Sequence, residues 1–140
     1  MLAKKVVLLC ALVAAACFSA CRVQYAASYD PIIDQGVTTF QSHADLACSA
    51  RMEQDATYDG YGYASLYAEL QALITRAHQT PMNGPTVAQL VALQHEILLI
   101  DSVDKHGASS VDMLRVSQET IDSSCAKIIA TELDKKRGTK

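Results

Sequence analysis

Residues 30–52, DPIIDQGVTTFQSHADLACSARM, decide the fold class of this chain. Asp30 is suited to accept the unpaired N–H groups at a helix start, Pro31 follows at the first helical position it favours, and Asp34 puts negative charge in the first turn. Ile33, Val37, Phe40, Ala44, Ala47 and Arg51 then recur at steps of three and four residues, the first five making one apolar stripe. The spacing predicts an amphipathic helix from about Pro31 to Met52. Gly36 inside it costs about 1 kcal/mol against alanine and suggests a close approach of another helix.

Working outward, the same period returns three times. EQDATYDGYG, residues 53–62, breaks the pattern with Gly60 and Gly62, and Tyr63, Leu66, Tyr67, Leu70, Leu73, Ile74 and Ala77 resume it. QTPMNGP, residues 79–85, is the clearest loop, with Pro81, Gly84 and Pro85 as breakers. Thr86, with Gln89 three residues on, reads as a capping box opening a third helix. Its core face is Leu90, Leu93, Ile97 and Ile100, widened by Val91 and Leu98, and Gly107 stops it. Ser109 or Ser110 opens a fourth helix, with Asp112 placed as the reciprocal partner of Ser109. Val111, Leu114, Ile121, Cys125, Ile128 and Ile129 form its inner stripe, which runs to about Arg137. The apolar–polar alternation of strands is absent. Residues 30–138 are therefore expected to form an all-α, up-down-up-down four-helix bundle.

Ahead of the bundle, MLAKKVVLLCALVAAACFSA runs from Lys4 and Lys5 through an apolar stretch to small residues, the layout of a bacterial export signal over residues 1–20. Its apolar run, Val6 to Ala20, falls short of the roughly 20 residues that cross a bilayer. FSAC, Phe18 to Cys21, fits a lipoprotein cleavage box, because a bulky apolar residue three before the cut disfavours ordinary signal peptidase. AAAC, Ala14 to Cys17, is the competing box, and free secretion after a cut before Cys17 is the alternative fate. On the first reading Cys21 is lipidated and residues 21–29 tether the bundle to the membrane. Cys10 and Cys17 leave with the leader, Cys21 is consumed by lipid, and Cys48 and Cys125 remain to form a disulfide in an oxidising compartment. Two separately buried thiols are the alternative.

The chemistry is read mostly by what the pattern lacks. Removing Lys4 and Lys5 leaves 10 basic and 15 acidic residues, a net charge near −5, with no basic patch for nucleic acid. KKRGTK, residues 135–140, complements a helix C-terminus. None of His43, His78, His95 and His106 sits in the Glu-x-x-His pair of helical-bundle metal sites. Asp101, Asp104 and His106 are expected on a solvated face. No nucleophile elbow or phosphate loop is present. The expectation is a non-enzymatic module without metal, cofactor, nucleic acid or evident small-molecule substrate. Tyr63 and Tyr67 are expected to face the core, while Tyr58 and Tyr61, flanked by glycine and aspartate, are the candidate partner surface.

With FSAC, the start YDPIIDQG at residues 29–36 and the end ELDKKRG at residues 132–138, the chain resembles a group of small uncharacterised bacterial lipoproteins. The resemblance implies a lipid anchor and an all-α fold and brings no activity. A more distant likeness, in size, cleavage box and architecture, is to secretin pilotins, outer-membrane lipoproteins of type II secretion. It implies an assembly factor that binds a partner helix. Together these give the expectation of an exported lipoprotein facing the periplasm and acting on an unknown protein partner. The outer membrane is favoured because Arg22 is not the aspartate of inner-membrane retention.

Overall fold

A computed structural model describes residues 27–54, 60–107 and 110–138. They form four helices, α1 (Pro31–Gln54), α2 (Gly60–Gln79), α3 (Gly84–Lys105) and α4 (Val111–Gly138), and no strand among the described residues. Each helix packs against its two neighbours in a ring, α1 on α2 and α4, and α3 on α2 and α4, with no diagonal contact among the described residues. The expected four-helix bundle is what the chain forms.

The helix ends follow from local chemistry, with two departures from the sequence reading. Asp30 Oδ1 accepts the Ile32 N–H at 2.9 Å and its carbonyl accepts the Asp34 N–H at 3.2 Å, so Asp30 caps α1 as expected. Ser110 Oγ accepts the Met113 N–H at 3.2 Å and caps α4, and Gly107, at φ 67°, ends the turn after α3 in the left-handed region. Gly60 and Gly62, read as breakers, instead lie in the first turn of α2, where few backbone bonds are yet formed and glycine costs least. The capping box at Thr86 is not made. α3 starts two residues earlier, at Gly84, and Thr86 is fully buried with its hydroxyl committed to α4.

The core is the sum of the inner stripes. Ile33, Val37 and Phe40 of α1, Leu70 of α2, Leu90 and Leu93 of α3, and Ile128 of α4 are fully buried. Each large side chain so placed stabilises the fold by about 1.5–3 kcal/mol. At Gly36 α1 packs closely on α2: a Cβ there would overlap Leu73 Cδ2. Val91 and Leu98, expected to widen the core, and Val111, expected on the inner stripe of α4, are exposed, because the ring has room for only one stripe of each helix.

Hydrogen bonds fix the axial register of α1 against α4. Gln41 Nε2 donates to Asp122 Oδ1 at 2.7 Å, and Gln118 Nε2 donates to Asp45 Oδ1 at 2.9 Å. Cys125 therefore stands level with about residue 38, some ten residues and about 15 Å along the axis from Cys48. A disulfide tolerates a Cα separation of at most about 7 Å. The expected Cys48–Cys125 bridge is thus not formed; both are buried free thiols. The sequence reading aligned the helix ends, whereas α4 is displaced so that its last turns run past the start of α1.

Candidate interaction surface

The buried polar residues lie at the two ends of the bundle. Glu132 continues the α4 stripe of Ile121, Cys125 and Ile128 one turn further, and it is fully buried. Glu132 Oε2 accepts the Asp30 N–H at 3.2 Å, and Glu132 Oε1 accepts the Thr86 hydroxyl at 2.8 Å and the Lys135 ammonium. Lys135 also donates to Thr86 Oγ1 at 2.7 Å and to Asn83 Oδ1. Asn83 Nδ2 in turn donates to the Ala77 carbonyl at 3.2 Å, capping α2. Arg76 clasps Asp30 with two bonds of 2.7 and 3.1 Å. Burial alone would raise the Asp30 carboxyl, but the Arg76 bonds and the Ile32 N–H outweigh it and hold the group below its ordinary value. Beside them Lys136 lies 5.1 Å over the Tyr29 ring, and the Tyr29 hydroxyl donates to Asp34 at 2.8 Å, which raises its pKa. The segments YDPIIDQG and ELDKKRG, a hundred residues apart in sequence, meet here.

At the opposite end Asp104 continues the α3 stripe and is buried. It accepts from Arg51 Nε at 2.9 Å, from a second Arg51 nitrogen, and from the Tyr63 hydroxyl at 3.2 Å. Burial first, and the Asp104 charge second, push the Tyr63 hydroxyl well above its ordinary pKa. Asp104 thus joins α1, α2 and α3. It does not belong to the expected solvated cluster: His106 Nδ1 donates instead to the Ser102 carbonyl at 2.6 Å. Among the described residues no group of three metal-binding side chains is assembled. Along the length of the bundle, pairs such as His43 with Glu69 at 2.9 Å and Ser124 with Glu96 at 3.1 Å line the helix seams.

The outer face of α3 is of another kind. Val91, Leu98 and Leu99 are 39%, 43% and 64% exposed, although they belong to a helix whose other side supplies Leu90, Leu93 and Ile97 to the core. Apolar side chains on all sides mark a helix that is covered on all sides, and large exposed apolar patches on soluble proteins mark contacts. From Gly84 to Ile100 the sole formally charged residue is Glu96, and it turns to Ser124 on α4. α3 is also the one helix among the described residues long and apolar enough to cross a membrane by length and composition, with 28% of its most apolar window buried in the bundle. Shallow grooves flank its carboxyl-terminal half. One, of about 160 Å³, lies between α3 and α4, with Leu99, Val103, Met113 and Leu114 in its walls. The other, of about 270 Å³, lies between α2 and α3, with Tyr63, Tyr67, Ile97 and Leu98.

The sequence-derived site residues are placed unevenly. Cys21 and Tyr58 lie outside the described residues, as does the side chain of Tyr61, although its backbone belongs to α2. Tyr63 packs on the core, and Tyr67 is half-buried on the α2–α3 groove. The α3 face was missed because Val91 and Leu98 were assigned to the core. The signal lay in the charge pattern, since four successive turns of a helix carry no formal charge except Glu96. Comparison with known families, with curated proteins and with solved structures gives no match.

Proposed function

We propose that this chain is an exported lipoprotein, anchored through Cys21, facing the periplasm from the outer membrane and acting by protein contact without catalysis. The observation that supports it best is the separation of polar from apolar groups. Asp30, Asp104 and Glu132 are spent on tying helices together, whereas the exposed face of α3 and its two grooves offer mainly apolar side chains. Such a surface suits another protein better than a polar substrate. Under this reading the tether enters at the Asp30 end, and the grooves at the Asp104 end, about 30 Å away, face outward from the membrane.

A pilotin-like role, in which α3 and its grooves take a partner helix, is the second reading, favoured by the groove between α3 and α4. The anchor is tested by Cys21→Ser. The variant chain is expected to move from the membrane to the soluble fraction, and processed protein that stays with membranes would refute the lipid assignment.

A further inference from the structure

We propose that the exposed face of α3 pairs with the same face of a second copy, antiparallel about a two-fold axis at His95. The proposal rests on reading that face as a protein-contact surface and names its occupant. Two features of the face select a second copy. The first is its neutrality: without the leader the chain carries 10 basic and 15 acidic residues, a net charge near −5, so copies repel except where the meeting surfaces are uncharged. The Val91–Leu99 stretch offers such a surface, with Glu96 directed to α4.

The second feature is a graded shape. Exposed Ala88, Val91 and Ala92 make the amino-terminal half small, exposed Leu98 and Leu99 make the carboxyl-terminal half large, and exposed His95 stands midway. Turning one copy over about His95 sets Ala92 against Leu98, Val91 against Leu99 and Ala88 against Ser102. A smaller side chain then meets a larger one at the two pairs on either side of the axis, as close packing requires, while the axis sets His95 against His95 and the ends set Ala88 against Ser102. A parallel pair would set Leu98 and Leu99 against themselves and leave a gap between alanines. The antiparallel pair is isologous, so it closes as a dimer, and it opposes the two helix dipoles. One helix pair over residues 88–102, about 21 Å long, belongs with the small, weak class of interfaces, those below about 1,200 Å² in total. The contact is accordingly a weak one, suited to capture by crosslinking.

The experiment uses the full chain in its own membranes, with His95→Cys and Ala88→Cys made separately and oxidised with copper phenanthroline. Cys48 and Cys125 are buried, and the unsubstituted chain measures their background. About the proposed axis the two His95 positions face each other, whereas the two Ala88 positions lie about 21 Å apart, beyond disulfide reach. A band of twice the chain mass is expected from His95→Cys and not from Ala88→Cys. Adding Leu99→Arg to His95→Cys is expected to reduce that band at least tenfold, with an unchanged melting midpoint confirming the fold. Equal bands from both cysteines, or a band indifferent to Leu99→Arg, would overturn the proposal. An adduct of other mass at His95→Cys would overturn the second copy and leave the protein-contact reading standing. No adduct from either cysteine would overturn both.

Discussion

The two ends of the bundle use one device at different depths. At each, a carboxylate continues an apolar stripe into the buried interior, Glu132 on α4 and Asp104 on α3. Glu132 meets donors from three places, the backbone before α1, Thr86 at the start of α3 and Lys135 on its own helix. Asp104 meets Arg51 of α1 and Tyr63 of α2. The counter-charges also differ: the Lys135 side chain is 9% exposed and that of Arg51 17%, so water reaches the second more easily. A buried ion pair contributes little net stability when whole and costs much when halved, because the remaining charge stays buried. The difference in depth therefore implies a difference in what each end loses when broken.

Glu132→Gln should have the largest effect. It leaves Lys135 charged and buried beside an amide, and a loss of about 3–5 kcal/mol is expected. That corresponds to a fall of more than about 10 °C in the melting midpoint of a domain this size. Asp104→Asn comes next, at about 1.5–3 kcal/mol, since Arg51 can recover hydration. Urea unfolding of both variants orders them. A cost for Asp104→Asn equal to that for Glu132→Gln would break the contrast between the ends.

Both carboxylates were legible as positions before they were legible as roles. The stripes that gave the four helices contain Glu132 at the step after Ile128 and Asp104 at the step after Ile100, just as Arg51 follows Ala47. A charged residue in phase with a buried stripe signals a buried partner, and periodicity alone cannot say which helix supplies it. Ring order followed from short connections between amphipathic segments. Axial register did not, because it is set by contacts such as Gln41 with Asp122 that join residues 81 apart. That is why the bridge between Cys48 and Cys125 was expected and is not formed. The outer face of α3 was hidden for a different reason: Val91 and Leu98 flank the periodic stripe of Leu90, Leu93 and Ile97, and apolar residues beside a stripe blur where its buried part ends.

A smaller effect sharpens the account of the Asp30 end. The Asp30 carboxyl lies below its ordinary value of 3.8 in the folded chain, so it contributes stability that is fully present above pH 3.8. That contribution is lost as pH falls through the lowered value. The Arg76 side chain is 40% exposed, so solvent screening limits the pair to under about 1 kcal/mol. Arg76→Met should remove this part of the acid sensitivity, seen as a smaller drop in the urea midpoint between pH 7 and pH 3 than in the unsubstituted chain. An equal drop would show that the Asp30–Arg76 pair does not carry the acid response.

The two thiols report on the ends without perturbing them. Cys48 lies toward the Asp104 end and is 6% exposed, while Cys125 lies toward the Asp30 end and is fully buried. Burial, followed by the charges of Asp45 and Asp122, pushes Cys48 up to about 11 and Cys125 up to about 12. At pH 8 the thiolate fractions in the closed fold are on the order of 1 in 1,000 and 1 in 10,000, so alkylation proceeds mainly through local opening. The less deeply tied end opens more often, and Cys48 should be labelled by iodoacetamide more than about tenfold faster than Cys125. The variants then separate the ends: Asp104→Asn should speed Cys48 alone, whereas Glu132→Gln should bring Cys125 toward the Cys48 rate. If either substitution accelerates both thiols equally, the bundle opens as one unit and the two ends do not differ in local stability.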